Sequence, residues 1–194
     1  MSQEPTIYES PYPDVLVLTD ISFQQFLARY NPDDVAGDKV VLEDLEEPHD
    51  RLTYAGARRD AASHAAWLHA NGLKPGDAVA IYASKSVAWA KAAYATLWAG
   101  GVLVGINAMV SEFELPHYLA LAKAKFIFVD PNLRQRIERV LARESPQATN
   151  IVELGTTSAR GFPYDIPQQQ PIPPYTLPGD NRTVPAVVLF SSGE

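Results

Sequence analysis

The sequence predicts an open α/β fold, a mainly parallel layered sheet with flanking helices, and three observations lead there. Short runs rich in Val, Ile and Phe at 78–82, 102–106 and 126–129 have the unbroken apolar character of strands buried on both faces. Between them, apolar residues recur at spacings of three and four, the helical period. Gly, Pro and Asn punctuate the changes of period, as in Asn71-Gly72, Lys74-Pro75-Gly76-Asp77 and Gly100-Gly101.

Residues 1–20 contain Pro5, Pro11 and Pro13, which hold the backbone extended and remove amide donors, and so predict an arm laid over the body. Ser22 is placed to cap a short helix whose inward face is Phe23, Phe26, Leu27 and Tyr30, ending before Asn31-Pro32. A strand is expected at 40–42, and the acidic stretch 43–50 reads as a solvated turn.

Thr53 then caps a helix with Tyr54, Ala57, Ala61, Ala65 and Leu68 on one side, and Asn71-Gly72 supplies a left-handed stop. The strand at 78–82, an alanine-rich helix over 86–99 and the strand at 102–106 form a unit that needs a right-handed crossover. Ser111 and Glu114 have the spacing of a capping box for a helix to about Lys123, with Pro116 near its first turn. A strand at 126–129 follows. Asp130-Pro131 is a cap and first-position proline for a helix burying Leu133, Ile137, Val140 and Leu141, and a fourth strand is expected at 151–154.

Between 155 and 183 six prolines and the run Gln168-Gln169-Gln170 erase any periodicity. That segment reads as a long surface loop, mobile or anchored by another part of a larger protein. The last strand is at 185–190. The expected organisation is therefore an arm at 1–20, an α/β subdomain at 21–154, a Pro-rich loop at 155–183 and a terminal strand with its exit at 184–194.

The 194 residues carry a formal charge of -7 and a pI near 5.1, so no cationic surface excess favours nucleic acid or anionic lipid. The absence of cysteine removes disulfide frameworks, thiolate metal sites and cysteine nucleophiles, and fits an intracellular setting. No apolar run reaches the roughly 18 residues of a membrane span.

Among candidate site residues, His64 and His69 are five apart on one helix, where a chelating pair needs three or four. With no third ligand at a recognisable spacing, His49, His64, His69 and His117 read as structural, and no metal site is expected. Asp20, Glu43, Glu46 and Glu47 read as solvated surface. A serine nucleophile at Ser191 would need a Gly-x-Ser-x-Gly elbow, but Leu189 and Phe190 stand upstream. Gly100, Gly101 and Gly105 lie at a helix end and in the next strand, where they serve turns and close packing and not a dinucleotide loop. Ser191, Ser192 and Gly193 remain: small hydroxyl residues and glycine after a buried strand let backbone amides approach a phosphate.

Taken in order, several segments resemble the N-terminal part of the adenylate-forming (AMP-binding) acyl-CoA ligases, which include coumarate-CoA ligases, luciferases and peptide-synthetase adenylation domains. The segment from Ile7-Tyr8-Glu9-Ser10 through Pro11-Tyr12-Pro13-Asp14 looks like the opening arm of the coumarate-ligase-like branch, and Leu52-Thr53-Tyr54 like the family's entry into its first large helix. Gly76-Asp77-Ala78-Val79, Leu97-Trp98-Ala99-Gly100-Gly101-Val102 with Asn107, and Ala124-Lys125-Phe126-Ile127 resemble successive core segments. Val188-Leu189-Phe190-Ser191-Ser192-Gly193 looks like the approach to the family's ATP-phosphate loop, where Glu194 stands in place of the next hydroxyl residue.

The resemblance implies the large-domain α/β fold of these ligases, ATP, Mg and coenzyme A as cofactors, and a carboxylic acid as substrate, first adenylated and then transferred to the thiol. It implies a metabolic or natural-product setting. Ser191, Ser192 and Gly193 are the cofactor-binding residues it assigns, and it assigns no catalytic residue within these 194. The family's remaining phosphate-loop, adenine, acyl and hinge residues lie downstream of Glu194, whose side chain and α-carboxylate each oppose a nearby phosphate charge by on the order of 1 kcal/mol in water. The expectations are a chain inactive alone, with a non-catalytic partner module or an incomplete gene product as alternatives, and a last strand whose bare edge invites a protein partner or self-association. Ser192-Gly193-Glu194 does not resemble the peroxisomal address of many relatives, so the cytoplasm is expected.

Overall fold

The computed structural model describes residues 19–29, 36–45, 47–144, 150–156 and 160–190. The expected arm lies outside them up to residue 18, as do Ser191, Ser192, Gly193 and Glu194. The described residues form a parallel sheet of five strands: β3 (Ala78–Ala83), β4 (Val102–Asn107), β5 (Phe126–Val129), β6 (Asn150–Glu153) and β7 (Val187–Leu189), in the order β6-β5-β3-β4-β7. A separate antiparallel pair, β1 (Val40–Glu43) with β2 (Arg51–Thr53), precedes it.

The pleat sends alternate residues to opposite faces, and both are buried. Val79, Ile81, Phe126 and Phe128 pack with α2 (Tyr54–Ala70) and α3 (Val87–Trp98). Ala80, Tyr82, Ile127 and Val129 pack with α4 (Leu115–Ala122) and α5 (Arg134–Glu144). A fully buried side chain of this kind contributes roughly 1.5–3 kcal/mol, so the three central strands dominate the stability of the sheet. The continuous apolar runs therefore encode burial on two sides.

Capping fixes where helices begin. Thr53 Oγ1 accepts from the Gly56 amide at 3.0 Å to start α2, and Ser86 Oγ accepts from the Trp89 amide at 3.1 Å to start α3. Gly72, at φ +94°, ends the turn after α2, as expected of Asn71-Gly72.

Several local expectations are corrected. In α1 (Phe23–Arg29) Gln24 and Gln25 are buried and Phe23 is 49% exposed. The cause is a reciprocal cap: Ser22 Oγ accepts from the Gln25 amide at 3.0 Å while Gln25 Oε1 accepts from the Ser22 amide at 2.8 Å, turning the glutamines inward. Leu52 and Thr53 form β2 before the helix begins, and Tyr54 is exposed while Gly56 faces the core. The Ser111–Glu114 box closes, with Ser111 Oγ 2.6 Å from Glu114 Oε2, but it closes a turn ahead of α4, because Pro116, lacking an amide, sits in the first helical turn. Asp130 does not cap; a 3₁₀ turn at Pro131–Leu133 precedes α5, and the Asp130 carboxylate bonds to β3's exit instead. Asp50 is not solvated: it is 4% exposed and accepts a hydrogen bond from the Tyr164 hydroxyl.

The Pro-rich segment is anchored by this chain itself. The Phe162 ring is buried 4.7 Å from Phe128, the Ile172 amide donates to Ala62 O, and the Tyr175 amide donates to Trp98 O at 2.9 Å. Trp98 Nε1 donates back to Ile172 O at 2.8 Å, so the strap is stitched across α2 and α3 through its main chain.

Candidate functional site

In a parallel sheet all carboxyl ends point the same way, and ligands gather where successive crossovers leave for opposite faces. That point lies between β3, which leads into α3 on one face, and β5, which leads into α5 on the other. Ser84 and Asp130 follow these strands, and the Ser84 amide donates to Asp130 Oδ2 at 2.8 Å, bridging the crevice.

Ser84-Lys85-Ser86 supplies the polar groups on one side. Lys85 Nζ sits 3.3 Å from the centre of the Trp89 ring, a cation–π contact. Partial burial there holds its pKa below the ordinary lysine value. Both residues line a cavity of about 970 Å³ that reaches Val187 of β7 and Leu42 and Leu45 of the β1 hairpin.

The loop after β4 forms the other side and is firmly held. Asn107 Oδ1 accepts from the Met109 amide at 2.9 Å; the Tyr82 hydroxyl donates to Val110 O at 2.8 Å; and Arg136 Nη1 donates to both, at 2.8 and 3.3 Å. Arg139 and Arg143 pair with Glu112 at 2.8 and 3.5 Å, and these cations hold its carboxyl below the usual range, the Arg139 hydrogen bond contributing most. Met109 and Phe113 remain 86% and 93% exposed at its tip.

Strand β7 runs parallel to β4, with Leu103, Val104 and Gly105 opposite Val187, Val188 and Leu189. It therefore delivers the chain to this same edge. Phe190 follows, its ring against Tyr118 of α4 at 4.5 Å. The assigned cofactor residues Ser191, Ser192 and Gly193 come next in sequence, outside the described residues. For an ATP phosphate group, what the described residues supply is a strand directed to the carboxyl edge and, at the exit of β3 on that edge, a cation, Lys85, whose charge suits an anion. No side chain described here is identified as a holder of adenine, Mg or coenzyme A.

The histidines are dispersed. His69 Nε2 lies 2.9 Å from Ala99 O, and His64 stands edge-on to Phe162 at 5.0 Å with a buried Nδ1 that has no hydrogen-bond partner. Burial lowers the His64 pKa to about 4, the Asp60 charge offsetting it only in part. Among the described residues no three His, Cys, Asp or Glu converge as a metal site, and no helix is long and apolar enough to cross a membrane. Sequence reasoning missed Lys85 and Trp89; the available signal was a cation between two serines directly after a buried strand.

Comparison with known proteins agrees with this architecture. The profile of the AMP-binding enzyme family matches residues 29–193. An acyl-CoA ligase of Aspergillus niger, azaF, is 30% identical over 100 residues, 52% of this chain and 19% of that protein. A long-chain-fatty-acid–CoA ligase of Bacillus subtilis is 34% identical over 136 residues, 65% of this chain and 22% of that protein. The crystal structure of ATP-bound MatB from Rhodopseudomonas palustris superposes with a TM-score of 0.71 at 26% identity, covering 88% of this chain and 32% of that one. The chain thus spans about a fifth of the length of these curated relatives.

Proposed function

Because this chain belongs to the AMP-binding enzyme family, we propose that it supplies part of the nucleotide-binding side of an ATP-dependent carboxylate–CoA ligase. The observation that supports this reading is the direction of β7: running parallel to β4, it ends at the carboxyl edge of the sheet, where β3 and β5 diverge, and Ser191, Ser192 and Gly193 are the next residues in sequence after Phe190. ATP is the proposed nucleotide, supported by the ATP-bound structural relative. A carboxylic acid is the proposed substrate and coenzyme A, with Mg, the proposed further requirement, supported by the acyl-CoA ligase relatives.

Within this reading the described residues bind and orient. Lys85 supplies positive charge at the edge, the Ser84–Asp130 bond fixes the spacing of the crevice, and Arg136 holds the 107–114 loop. ATP, when bound, would supply the adenylyl group that makes the carboxylate reactive, with pyrophosphate as the leaving group. The coumarate-ligase-like branch and the natural-product setting belong to the proposal and rest on the 7–14 segment and on fungal acyl-CoA ligases among the relatives. So does the division into an arm, a subdomain at 21–154, a strap at 155–183 and a terminal strand.

We propose further that the 194 residues alone do not turn over, since the resemblance assigns them no catalytic residue. The test is a graft replacing the matching third of the MatB relative with this chain. A graft that folds and releases pyrophosphate and AMP from ATP, a carboxylate and coenzyme A supports the reading, and one that melts sharply yet releases neither overturns it. Pyrophosphate release by the 194 residues alone would overturn the second part.

A different observation favours a second role. Val187, Val188 and Leu189 are 43%, 36% and 78% exposed, and among the described residues β7 pairs with β4 alone. Such an edge accepts a further strand from another polypeptide or a second copy. Light scattering with and without Val188→Lys tests it: loss of association in the variant supports an edge contact, and a monomeric parent removes self-association.

A further inference from the structure

Phe162 is the buried plug of the strap. Its ring, 1% exposed, fills a slot whose walls are Phe128 of β5 at 4.7 Å and His64 and Trp67 of α2 at 5.0 and 5.6 Å, centroid to centroid. His64 meets it edge-on, and His64 Nδ1 is buried with no hydrogen-bond partner. One wall of an otherwise apolar slot is therefore a titratable ring.

The strap around this plug is loosely laid. Between Pro163 and Pro171 it stands off α2 across a cavity of about 740 Å³, lined on the helix side by Arg59, Asp60, Ser63 and His64. Ser63 Oγ donates to Gln169 O at 3.1 Å. Beyond the cavity the main-chain bonds of Ile172 and Tyr175 to Ala62 and Trp98 form a separate anchor. The Phe162 end has room to leave its slot while that anchor holds.

The charges around His64 come from three elements. Asp60 on α2 favours a proton on the ring, and Lys91 on α3, 3.4 Å from the Asp60 carboxylate, opposes it. Arg59 pairs with the same carboxylate at 3.1 Å, and Tyr164 of the strap lines the same cavity while donating to Asp50. Burial outweighs the pull of Asp60 and lowers the His64 pKa from 6.5 to about 4. An imidazolium carries a proton on both ring nitrogens, and in the closed slot the one on Nδ1 has no acceptor, so the charged ring bears an uncompensated desolvation cost. With Phe162 withdrawn, the ring meets water and takes up its proton in the ordinary range.

We propose that residues 160–171 form an acid-released latch: protonation of His64 frees Phe162 from its slot while the Ile172 and Tyr175 anchor stays closed. A proton bound by the open form and excluded from the closed one shifts the population toward the open form as pH falls. Release also parts Tyr164 from Asp50 and from Lys91, whose Nζ lies 4.8 Å from the tyrosine ring centre, so the closed form dominates at neutral pH. What the opening uncovers is an apolar slot walled by Phe128 and Trp67.

Amide exchange on the 194-residue chain, corrected for the intrinsic rate at each pH, separates this release from unfolding of the whole. The reporters are the Phe162 amide, which donates to Glu153 O at 2.8 Å, and the Gly155 amide, which donates to Phe162 O at 2.8 Å. From pH 7 to pH 5 both should lose about twentyfold in protection, the change that a pKa lowered from 6.5 to about 4 produces over that interval. Ile172, Tyr175 and the paired strand residues Ile81 and Phe128 should keep theirs. His64→Gln and His64→Phe cannot take up the proton, and each should abolish the loss; a folding defect in one leaves the other to decide. No loss in the parent, an equal loss at Ile81 and Phe128, or a loss that survives the substitutions would each overturn the proposal.

Discussion

The ring of Phe190 meets the ring of Tyr118 edge-on, centroids 4.5 Å apart and planes at 74°. This contact ties the exit of β7 to α4, on the face of the sheet opposite α3. It holds Phe190 more firmly than a three-residue edge strand does alone. An edge-on aromatic pair contributes about 0.5–1.5 kcal/mol beyond area burial. A double-mutant cycle with Tyr118→Ala and Phe190→Ala, read by urea unfolding, should return a coupling of about that size; additive single effects would mean the rings do not hold each other.

Gly100 has φ +79°, and a Cβ there would lie 2.5 Å from Tyr175 Cγ. Two penalties are combined, a backbone strain and a clash with the strap. Gly100→Ala should destabilise by about 2–3 kcal/mol in denaturant unfolding, and by only about 1 kcal/mol in a Tyr175→Ala background, where the backbone term alone survives. An equal cost in both backgrounds would show that the strap does not press on this turn.

The Tyr164 hydroxyl donates to the buried Asp50 carboxylate, tying the strap to the β1 hairpin. Tyr164→Phe leaves that carboxylate short of a donor and should cost about 1–3 kcal/mol at neutral pH. Burial first, and the Asp50 hydrogen bond second, raise the Tyr164 pKa well above its ordinary value of 10.0. The raised folded-state pKa means that folding favours the protonated phenol. Its stabilisation is complete below pH 10 and is lost as pH rises further. Thermal melts from pH 8 to 11 should therefore show the parent losing more stability than Tyr164→Phe, and parallel curves would contradict the assignment.

His64 behaves in the opposite sense. Its pKa is lowered from 6.5 to about 4, chiefly by burial, so folding favours the neutral ring. That contribution is whole above pH 6.5 and is lost as pH falls toward 4. His64→Gln should flatten the stability profile across that window in denaturant titrations, and an unchanged slope would show that the ring charges as freely in the folded chain as in the unfolded one.

The sheet was legible because β3, β4 and β5 carry their burial in their composition: Val79 to Tyr82 and Phe126 to Val129 need both faces covered, and only a layered fold provides that. The strap was not, because its anchoring runs through the main chain of Ile172 and Tyr175 to Ala62 and Trp98, and backbone bonds leave no side-chain period. The inward turn of Gln24 and Gln25 was hidden for a related reason: Phe23 and Phe26 give the stronger helical signal, while one reciprocal bond pair with Ser22 decides the face. At the candidate site, Ser191 to Gly193 stood out by resemblance. Lys85 did not, since its meaning comes from Trp89 beneath it and from the strand that ends before it.

The strap also bears on the order in which the chain assembles. β6 and β7 are consecutive in sequence yet occupy opposite edges of the sheet, and the β4–β7 pairing of Leu103 with Val187 spans the longest sequence separation between its neighbouring strands. Contacts of such separation form late, after the loops they close have paid their entropy. During synthesis β3, β4, β5 and β6 emerge and can pair while β7 is still unmade. β7 thus arrives as a final addition to a preassembled platform, and it waits for the strap to cross two helices before the edge it belongs to exists.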